Sequence, residues 1–158
     1  MLGCFRLIRK VLSVGGWAPA AVFLIHVTAT QVFDAYAVFP QLDVPMHFVG
    51  GIAMAFFISR CFRQLPRDVV RSSRLVVLEA VLIASMTTTI AVLWEFAEFS
   101  LDQFVGSNVQ VGLANTMQDL ALGMLGAAVV VAVRARQVSA SCDDVSAVAA
   151  DWMSERAA

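Results

Sequence analysis

The sequence lacks most of the signatures that identify an enzyme or a nucleic-acid-binding protein. Its 158 residues contain no P-loop, no Rossmann glycine fingerprint, no G-x-S-x-G and no H-E-x-x-H. No nucleotide cofactor, serine nucleophile or zincin site is therefore indicated. A basic groove is also missing, because the net charge is −1 and the basic residues only flank apolar runs. We expect no nucleic-acid partner.

Charge and cysteine are scarce as well. Only 15% of the residues are charged whereas 59% are hydrophobic, and the mean hydropathy is +0.78. A soluble core of this size cannot bury that much apolar surface, so the composition predicts a lipid bilayer as partner. Cys4, Cys61 and Cys142 are not at metal-ligand spacing, and we interpret them as inert reduced thiols.

Four segments are apolar over nearly the 20 or so residues that a membrane-spanning helix needs. They predict an all-α polytopic membrane protein, with a transmembrane domain over residues 1–136 and spans at about 17–33, 46–62, 75–101 and 116–133. Residues 1–12 form a short basic amphipathic lead-in. Residues 137–158 are predicted to form a mobile cytoplasmic tail with one or two helical turns. A cleaved signal peptide is the less favoured alternative for residues 1–30, because the apolar stretch is too long.

The distribution of positive charge predicts the orientation. All eleven basic residues precede the first span, separate the second from the third, or follow the fourth. They are Arg6, Arg9, Lys10, Arg60, Arg63, Arg67, Arg71, Arg74, Arg134, Arg136 and Arg156. Because positive charge is retained in the cytoplasm during insertion, both termini are predicted to be cytoplasmic.

Small residues predict where the helices touch. Gly51 with Ala55, and Gly123 with Ala127, have the small-xxx-small spacing that lets backbones approach closely in lipid. Spans two and four are therefore expected in the bundle interior. The starts of these two spans also show a faint similarity, as parallel repeats would. The match is short, and coincidence is the preferred explanation.

Acidic residues gather on the side without basic residues. Six of them map to the outer loops or outer span ends: Asp34, Asp43, Glu95, Glu98, Asp102 and Asp119. Glu95, Glu98 and Asp102 have spacings of three and four, which places them on one helix face. His47 and Asp119 lie near helix starts at similar depth. The sequence therefore predicts a polar layer in which carboxylates and one imidazole converge from three spans.

Crowded carboxylates in a low-dielectric site repel one another, so this layer needs positive charge. Bound protons, a divalent metal or a cationic ligand group would each supply it. Oxygen ligands with one imidazole suit Mg²⁺, Mn²⁺, Fe or Zn²⁺. The predicted metal ligands are Glu95, Glu98, Asp119 and His47. If a metal-bound water reacts, the predicted base is Asp102 or Asp43.

Several of these residues also have structural explanations. Asp119 and Asp43 have the positions of helix caps, and Asp34 is expected to be a solvated loop acid. His26, in the middle of span one, is either a proton relay or a hydrogen-bonding partner of residues 87–89. Glu79 is expected to pair with the arginines of the loop before it.

Two stretches resemble the YjdF-type inner-membrane family of unknown function. LWEFAEFSLDQFVGSNVQVGLANTMQDLALGMLGA, at 93–127, resembles its W-E-x-x-E-x-x-x-D, G-x-N-x-Q and D-T-M-x-D-L elements, and LDVPMHFVGGIAMA, at 42–55, resembles its D-x-x-x-H-F-x-G-G element. The matching residues are Asp43, His47, Gly50, Gly51, Trp94, Glu95, Glu98, Asp102, Gly106, Asn108, Gln110, Thr116, Met117, Asp119, Gly126 and Ala127. Asn115 and Gly123 depart from the pattern, and each removes a candidate oxygen ligand. A more distant resemblance to VanZ-type proteins lies in the D-L…G-x-L-G-A ending. These resemblances imply a bacterial inner-membrane location and no particular activity.

Three functions remain open at this point, and whether the protein is an enzyme is one of the questions. The first is hydrolysis or transfer on a lipid or envelope precursor at a divalent-cation site. The second is binding or transport of protons, metal ions or cationic molecules, with four spans suggesting a homo-oligomer. The third is a helper subunit whose polar layer packs against a partner.

Overall fold

Helices make up all the regular structure in the part of the chain that our computed structural model describes, residues 2–64, 73–107 and 109–157. Four helical segments in that part are long and apolar enough to cross a membrane: Gly3–Gln31, Pro40–Phe62, Val76–Val105 and Leu113–Ser139. The predicted all-α fold with four candidate spans is confirmed. Their length and composition suit a lipid bilayer.

The first span is a kinked helix. Helix α1 (Leu2–Val11) continues through a π turn at Leu12–Gly16 into α2 (Trp17–Gln31). Gly15 has a φ of 126°, which L side chains rarely adopt, so glycine permits the break between the two helices. The Arg60 Nε donates a hydrogen bond of 3.2 Å to the Val14 carbonyl at this kink.

A compact connection leads into the second span. It contains α3 (Ala35–Val38) and a 3₁₀ turn (Pro40–Leu42), after which α4 runs from Asp43 to Phe62. Asp34, whose φ is 47°, precedes α3 and is exposed, as expected for a solvated loop acid. The 20 residues of α4 extend about 30 Å, the thickness of the hydrocarbon core.

The last two helices are longer than predicted. Helix α5 spans Ser73–Val105 and α6 spans Leu113–Ala157. The expectation of only one or two helical turns in residues 137–158 is wrong, since α6 continues through Ala157. That segment contains no glycine or proline and is rich in alanine, which has the highest helix propensity. Its mobility stays a prediction.

Helices α4 and α6 meet through glycine. A Cβ atom on Gly51 would lie 2.8 Å from the Cα of Gly123, closer than side chains tolerate. Ala55 and Ala127 are buried further along the same two helices, in the core with Ile83. The small residues of both spans therefore lie at a helix contact, as predicted, and the structure shows that the two spans contact each other.

These two helices run parallel and in register. Asn115 donates a hydrogen bond to Asp43, 72 positions earlier in the chain. Gly123 contacts Gly51, also 72 positions earlier in the chain and about two helical turns deeper in the bundle. The similarity between the two helix starts thus corresponds to residues that are neighbours in space.

Helix α5 runs antiparallel to both. Its Glu79 contacts Arg134 at one end of the bundle, and its Glu95 approaches His47 at the other. We call the end with Glu79, Arg134 and Arg60 the basic end, and the end with His47 and Glu95 the acidic end.

Candidate functional site

Five ionisable side chains from three helices come together at the acidic end. We call them the acid cluster: Asp43 and His47 from α4, Glu95 and Glu98 from α5, and Asp119 from α6. Glu95, Glu98 and Asp119 are only 5%, 7% and 2% exposed. Spacings of three and four along each helix place the paired residues on one face, and the helix contacts turn those faces toward each other.

His47 occupies the middle of the acid cluster. Its Nε2 lies 3.3 Å from Asp43 Oδ1 and 4.0 Å from Asp119 Oδ1, and its Nδ1 lies 3.8 Å from Glu95 Oε1. Both ring nitrogens therefore face carboxylate oxygens. A single imidazolium can balance only one of the surrounding negative charges.

Asn115 joins two of the carboxylates. Its side-chain amide donates to Asp43 Oδ2 at 3.1 Å and also to Asp119 Oδ2. In the sequence, Asn115 is marked chiefly as a departure from the family pattern. Its position four residues before Asp119 on one helix face was the available signal. An amide donor here adds hydrogen bonds without adding a further negative charge.

Asp119 carries the least satisfied atom in the described part of the chain. Its Oδ1 is buried and has no hydrogen-bond partner there, since His47 Nε2 at 4.0 Å is beyond hydrogen-bonding distance. A buried carboxylate oxygen without a partner is costly in free energy. A bound cation or proton would supply the partner that this atom lacks.

Helix capping does not explain either aspartate. Helix α4 starts without a side-chain cap bond, and Asp43 directs its oxygens to His47 and Asn115. Asp119 lies in the second turn of α6, with one oxygen bonded to Asn115 and the other unpaired.

Two groups of three ligand atoms lie close enough to share an ion. They are Asp43, His47 and Asp119, and His47, Glu95 and Glu98, with the atoms of each group within 4.8 Å of one another. Bond lengths of about 2.0–2.6 Å allow one cation to reach all three atoms of a group. The four predicted ligands thus fall into two groups that share His47, and Asp43, predicted as a base, has a ligand position.

Asp102 belongs to neither group. Its Oδ1 accepts hydrogen bonds from the Ser107 hydroxyl at 2.5 Å and the Val109 amide at 2.9 Å. Its Oδ2 accepts from the Gln110 amide at 2.9 Å. These contacts hold the connection between α5 and α6, so the structure gives Asp102 a local role.

Trp94 links the acid cluster to helix α2. Its indole N–H donates a hydrogen bond of 2.6 Å to Glu98 Oε1, and its ring makes edge contacts with Phe23 and His26. Only the family resemblance marked Trp94 in the sequence.

Tyr36 lies in the connection between the first two spans and contacts His26. Its hydroxyl is 2.9 Å from His26 Nδ1. Burial, and then the negative charges of Asp43 and Glu98, raise the pKa of Tyr36 to about 12. The hydroxyl therefore stays protonated at physiological pH and remains a hydrogen-bonding partner of the imidazole.

The expected hydrogen bond between His26 and residues 87–89 is not the one formed. The hydroxyls of Thr87 and Thr89 donate instead to the carbonyls of Ile83 and Ser85, one turn earlier in their own helix. Tyr36 takes the place of the expected partner.

A cavity of about 190 Å³ extends from the acid cluster toward the basic end. Helices α2, α4, α5 and α6 all contribute to its lining. The lining residues are Pro19, Val22, Phe23, His26, Met46, His47, Gly50, Gly51, Met54, Thr87, Ile90, Ala91, Trp94 and Gly123. Three of the four polar side chains among them, His26, His47 and Trp94, lie at the end next to the acid cluster. The rest of the lining is apolar apart from Thr87.

Comparison with known proteins identifies the family. No curated protein and no solved structure matches the chain. Residues 13–140 match the family model described as "Predicted membrane protein (DUF2238)", a range that includes the whole acid cluster. The match is consistent with the resemblance to YjdF-type proteins, while the VanZ-type resemblance stays a prediction. The chain belongs to the DUF2238 family of predicted membrane proteins.

Proposed function

We propose that this membrane protein binds a divalent cation in its acid cluster and presents it to a lipid or envelope precursor. The proposed location is the bacterial inner membrane, with the acidic end outward and both termini in the cytoplasm. The observation that carries the proposal is the buried, unpartnered Asp119 Oδ1, which faces His47 beside three further carboxylates.

Charge balance supports a cation. The acid cluster contains four carboxylates and one imidazole, so full ionisation leaves a net charge of −3 even with His47 protonated. Among the residues that the structure describes, Arg134 is the sole arginine or lysine in a salt bridge, and its partner is Glu79. In a low-dielectric interior, such a charge excess is strongly unfavourable without a counter-ion or bound protons.

The ligand chemistry also suits a divalent ion. Carboxylate oxygens with one imidazole favour Mg²⁺, Mn²⁺, Fe or Zn²⁺. Each group supplies three protein ligands, which leaves coordination positions for water or a ligand atom. A bound cation would activate a coordinated water for hydrolysis, or the hydroxyl of an acceptor molecule for transfer. Of the two predicted bases, Asp102 lies outside the acid cluster. Asp43 would be free to act as a base only with the cation held by His47, Glu95 and Glu98, because it is a ligand in the other group.

Transport of protons or ions is less well supported by the geometry. It requires a polar path from the acid cluster to Glu79 near the basic end. Between His47 and the basic end, the described lining of the cavity contains one polar side chain, Thr87. Its hydroxyl donates a hydrogen bond to the Ile83 carbonyl. The apolar lining favours a binding site over a pathway.

Equilibrium binding of Mn²⁺ to the protein in nanodiscs of zwitterionic lipid tests the proposal. Free Mn²⁺ is measured by electron paramagnetic resonance. We expect saturable binding by the wild-type chain. Asp119→Asn removes a ligand and should weaken binding by at least about 10–100-fold. Glu79→Gln changes a buried carboxylate at the other end and should leave the affinity unchanged. Equal affinity in the wild type and Asp119→Asn would show that the cation does not bind in the group of Asp43, His47 and Asp119.

A further inference from the structure

The cavity and the acid cluster are continuous. His47 lines the cavity and is also the residue shared by both candidate ligand groups. Trp94 lines the cavity with its ring and donates its N–H to Glu98 in the acid cluster. A molecule in the cavity therefore has its end against the cation-binding groups.

The cavity is deep enough for an extended hydrocarbon chain. The lining runs from His47 to Met54 on α4 and from Trp94 to Thr87 on α5. Seven residues on each helix correspond to about 10 Å along the bundle. Ordered water needs two to four polar partners, which this lining does not provide over most of its length. The expected occupant is apolar.

The side of the cavity formed by α2 borders the lipid. Phe23 lines the cavity and is 51% exposed. On the opposite wall, a Cβ atom at Gly50 would meet only Val22 Cγ1, at 4.0 Å. The space in front of Gly50 is therefore available to a ligand that enters from the bilayer.

We propose that the cavity binds the hydrocarbon chain of a membrane amphiphile whose phosphate headgroup is coordinated by the cation in the acid cluster. This inference rests on the proposed cation site. The carboxylates alone would repel a phosphate, whereas a cation held by three protein ligands keeps positions that phosphate oxygens fill, as in many Mg²⁺ and Mn²⁺ sites. Chain and headgroup are then bound together, and each should strengthen the binding of the other.

Linked binding of Mn²⁺ and alkyl phosphates in nanodiscs tests the inference. The Mn²⁺ affinity of the wild-type chain is measured alone and with methyl phosphate, hexyl phosphate or decyl phosphate. Decyl phosphate should raise the Mn²⁺ affinity by about tenfold, a coupling typical of linked sites. Methyl phosphate should have little effect because it lacks the chain. Decyltrimethylammonium, which has the chain and the opposite charge, should not raise the affinity.

Gly50→Leu fills the cavity and leaves the acid cluster intact. This variant should bind Mn²⁺ alone as the wild type does and lose the enhancement by decyl phosphate. Val49→Leu is the matched control, because Val49 is 44% exposed and does not line the cavity. The nanodiscs of both variants contain the same amount of alkyl phosphate, so binding of Mn²⁺ to the nanodisc surface is equal for the two and cancels in the comparison.

The outcomes separate the two proposals. Two results would overturn the chain site and leave the cation site intact. One is an Mn²⁺ affinity that does not depend on the chain length of the alkyl phosphate. The other is an equal enhancement by decyl phosphate in Gly50→Leu and in the wild type. If decyltrimethylammonium raises the Mn²⁺ affinity, the headgroup of the ligand need not be a phosphate, and that part of the inference is wrong. If the wild type binds no Mn²⁺, the cation site fails and the inference fails with it. If Gly50→Leu does not fold, the chain-length series in the wild type, corrected with empty nanodiscs that carry the same alkyl phosphate, decides instead.

Discussion

The two ends of the bundle deal with buried carboxylates in different ways. At the basic end, Glu79 is 6% exposed and its Oε1 accepts a hydrogen bond of 3.1 Å from Arg134 Nε. One negative charge there has one positive partner. At the acidic end, Glu95, Glu98 and Asp119 are equally buried, yet together with Asp43 they share a single imidazole.

This difference shows that the fold can give a buried carboxylate a positively charged partner, as it does for Glu79. The Glu79–Arg134 pair satisfies both charges between α5 and α6. At the other end of these helices, Asp119 Oδ1 remains without a partner. A site with surplus carboxylates next to an apolar cavity is typical of ligand binding, since polar sites that serve only packing are hydrogen-bonded.

The largest expected difference between the two ends is their accessibility from outside the cell. Chains with one cysteine are prepared in a background without Cys4 and Cys142, carrying either the native Cys61 near the basic end or Gln103→Cys near the acidic end. Both positions are exposed. A membrane-impermeant maleimide should label Gln103→Cys in spheroplasts and should label Cys61 only after lysis. The opposite pattern would reverse the proposed orientation.

Removal of one carboxylate should change stability in opposite directions at the two ends. Glu79→Gln leaves Arg134 without its counter-charge and should destabilise the fold by about 2 kcal/mol. Glu98→Gln keeps an acceptor for Trp94 and relieves repulsion, so without metal it should stabilise the fold by roughly 1 kcal/mol. Unfolding in detergent with a metal chelator measures both.

Equal destabilisation by both variants would remove the contrast between the ends. Asp34→Asn serves as the control, because Asp34 is exposed and lies outside the acid cluster.

The smallest expected effect concerns the titration of Tyr36, which is the one tyrosine of the chain. Burial and the charges of Asp43 and Glu98 raise its pKa to about 12, against an ordinary value of about 10. The neutral phenol therefore contributes stability below pH 10, which is lost as the pH rises through 12. Asp43→Asn should lower the tyrosinate midpoint by roughly half a unit, because a nearby negative charge is removed.

Tyrosinate absorbance follows this titration directly. A wild-type midpoint near 10 would show that Tyr36 is not close to the acid cluster. An unchanged midpoint in Asp43→Asn would show that the charge of Asp43 does not contribute to the raised pKa of Tyr36.

The fold was largely predictable because its signals are strong and local. Four apolar segments predicted four membrane helices, and the small residues around Gly51 and Gly123 predicted close helix contacts by the second and fourth spans. That these two helices contact each other is a finding of the structure. The helical extension through Ala157 differs from the predicted tail, because the polar character of the segment indicates a tail whereas its composition favours a helix. The length of the apolar segments therefore predicts which segments are helices better than it predicts where the helices end.

The candidate site was predictable as a set of residues and less so as a geometry. Helical spacing placed Glu95 and Glu98 on one face, and they do lie together. The division into two groups around His47 depends on the register between α4 and α6, which spacing along one helix does not contain. The roles of Asn115 and Tyr36 arise from contacts across 72 and 10 positions, and neither residue is distinctive by itself.

The most direct test of the cation site is the position of Mn²⁺ in crystals of the wild-type protein grown with saturating Mn²⁺. Anomalous scattering at the manganese edge locates the ion without reference to the protein. We predict a peak within about 2.6 Å of His47 and of Asp119 Oδ1, the distance expected for coordination. A peak elsewhere in the molecule, or the absence of a peak in the acid cluster, would contradict the account.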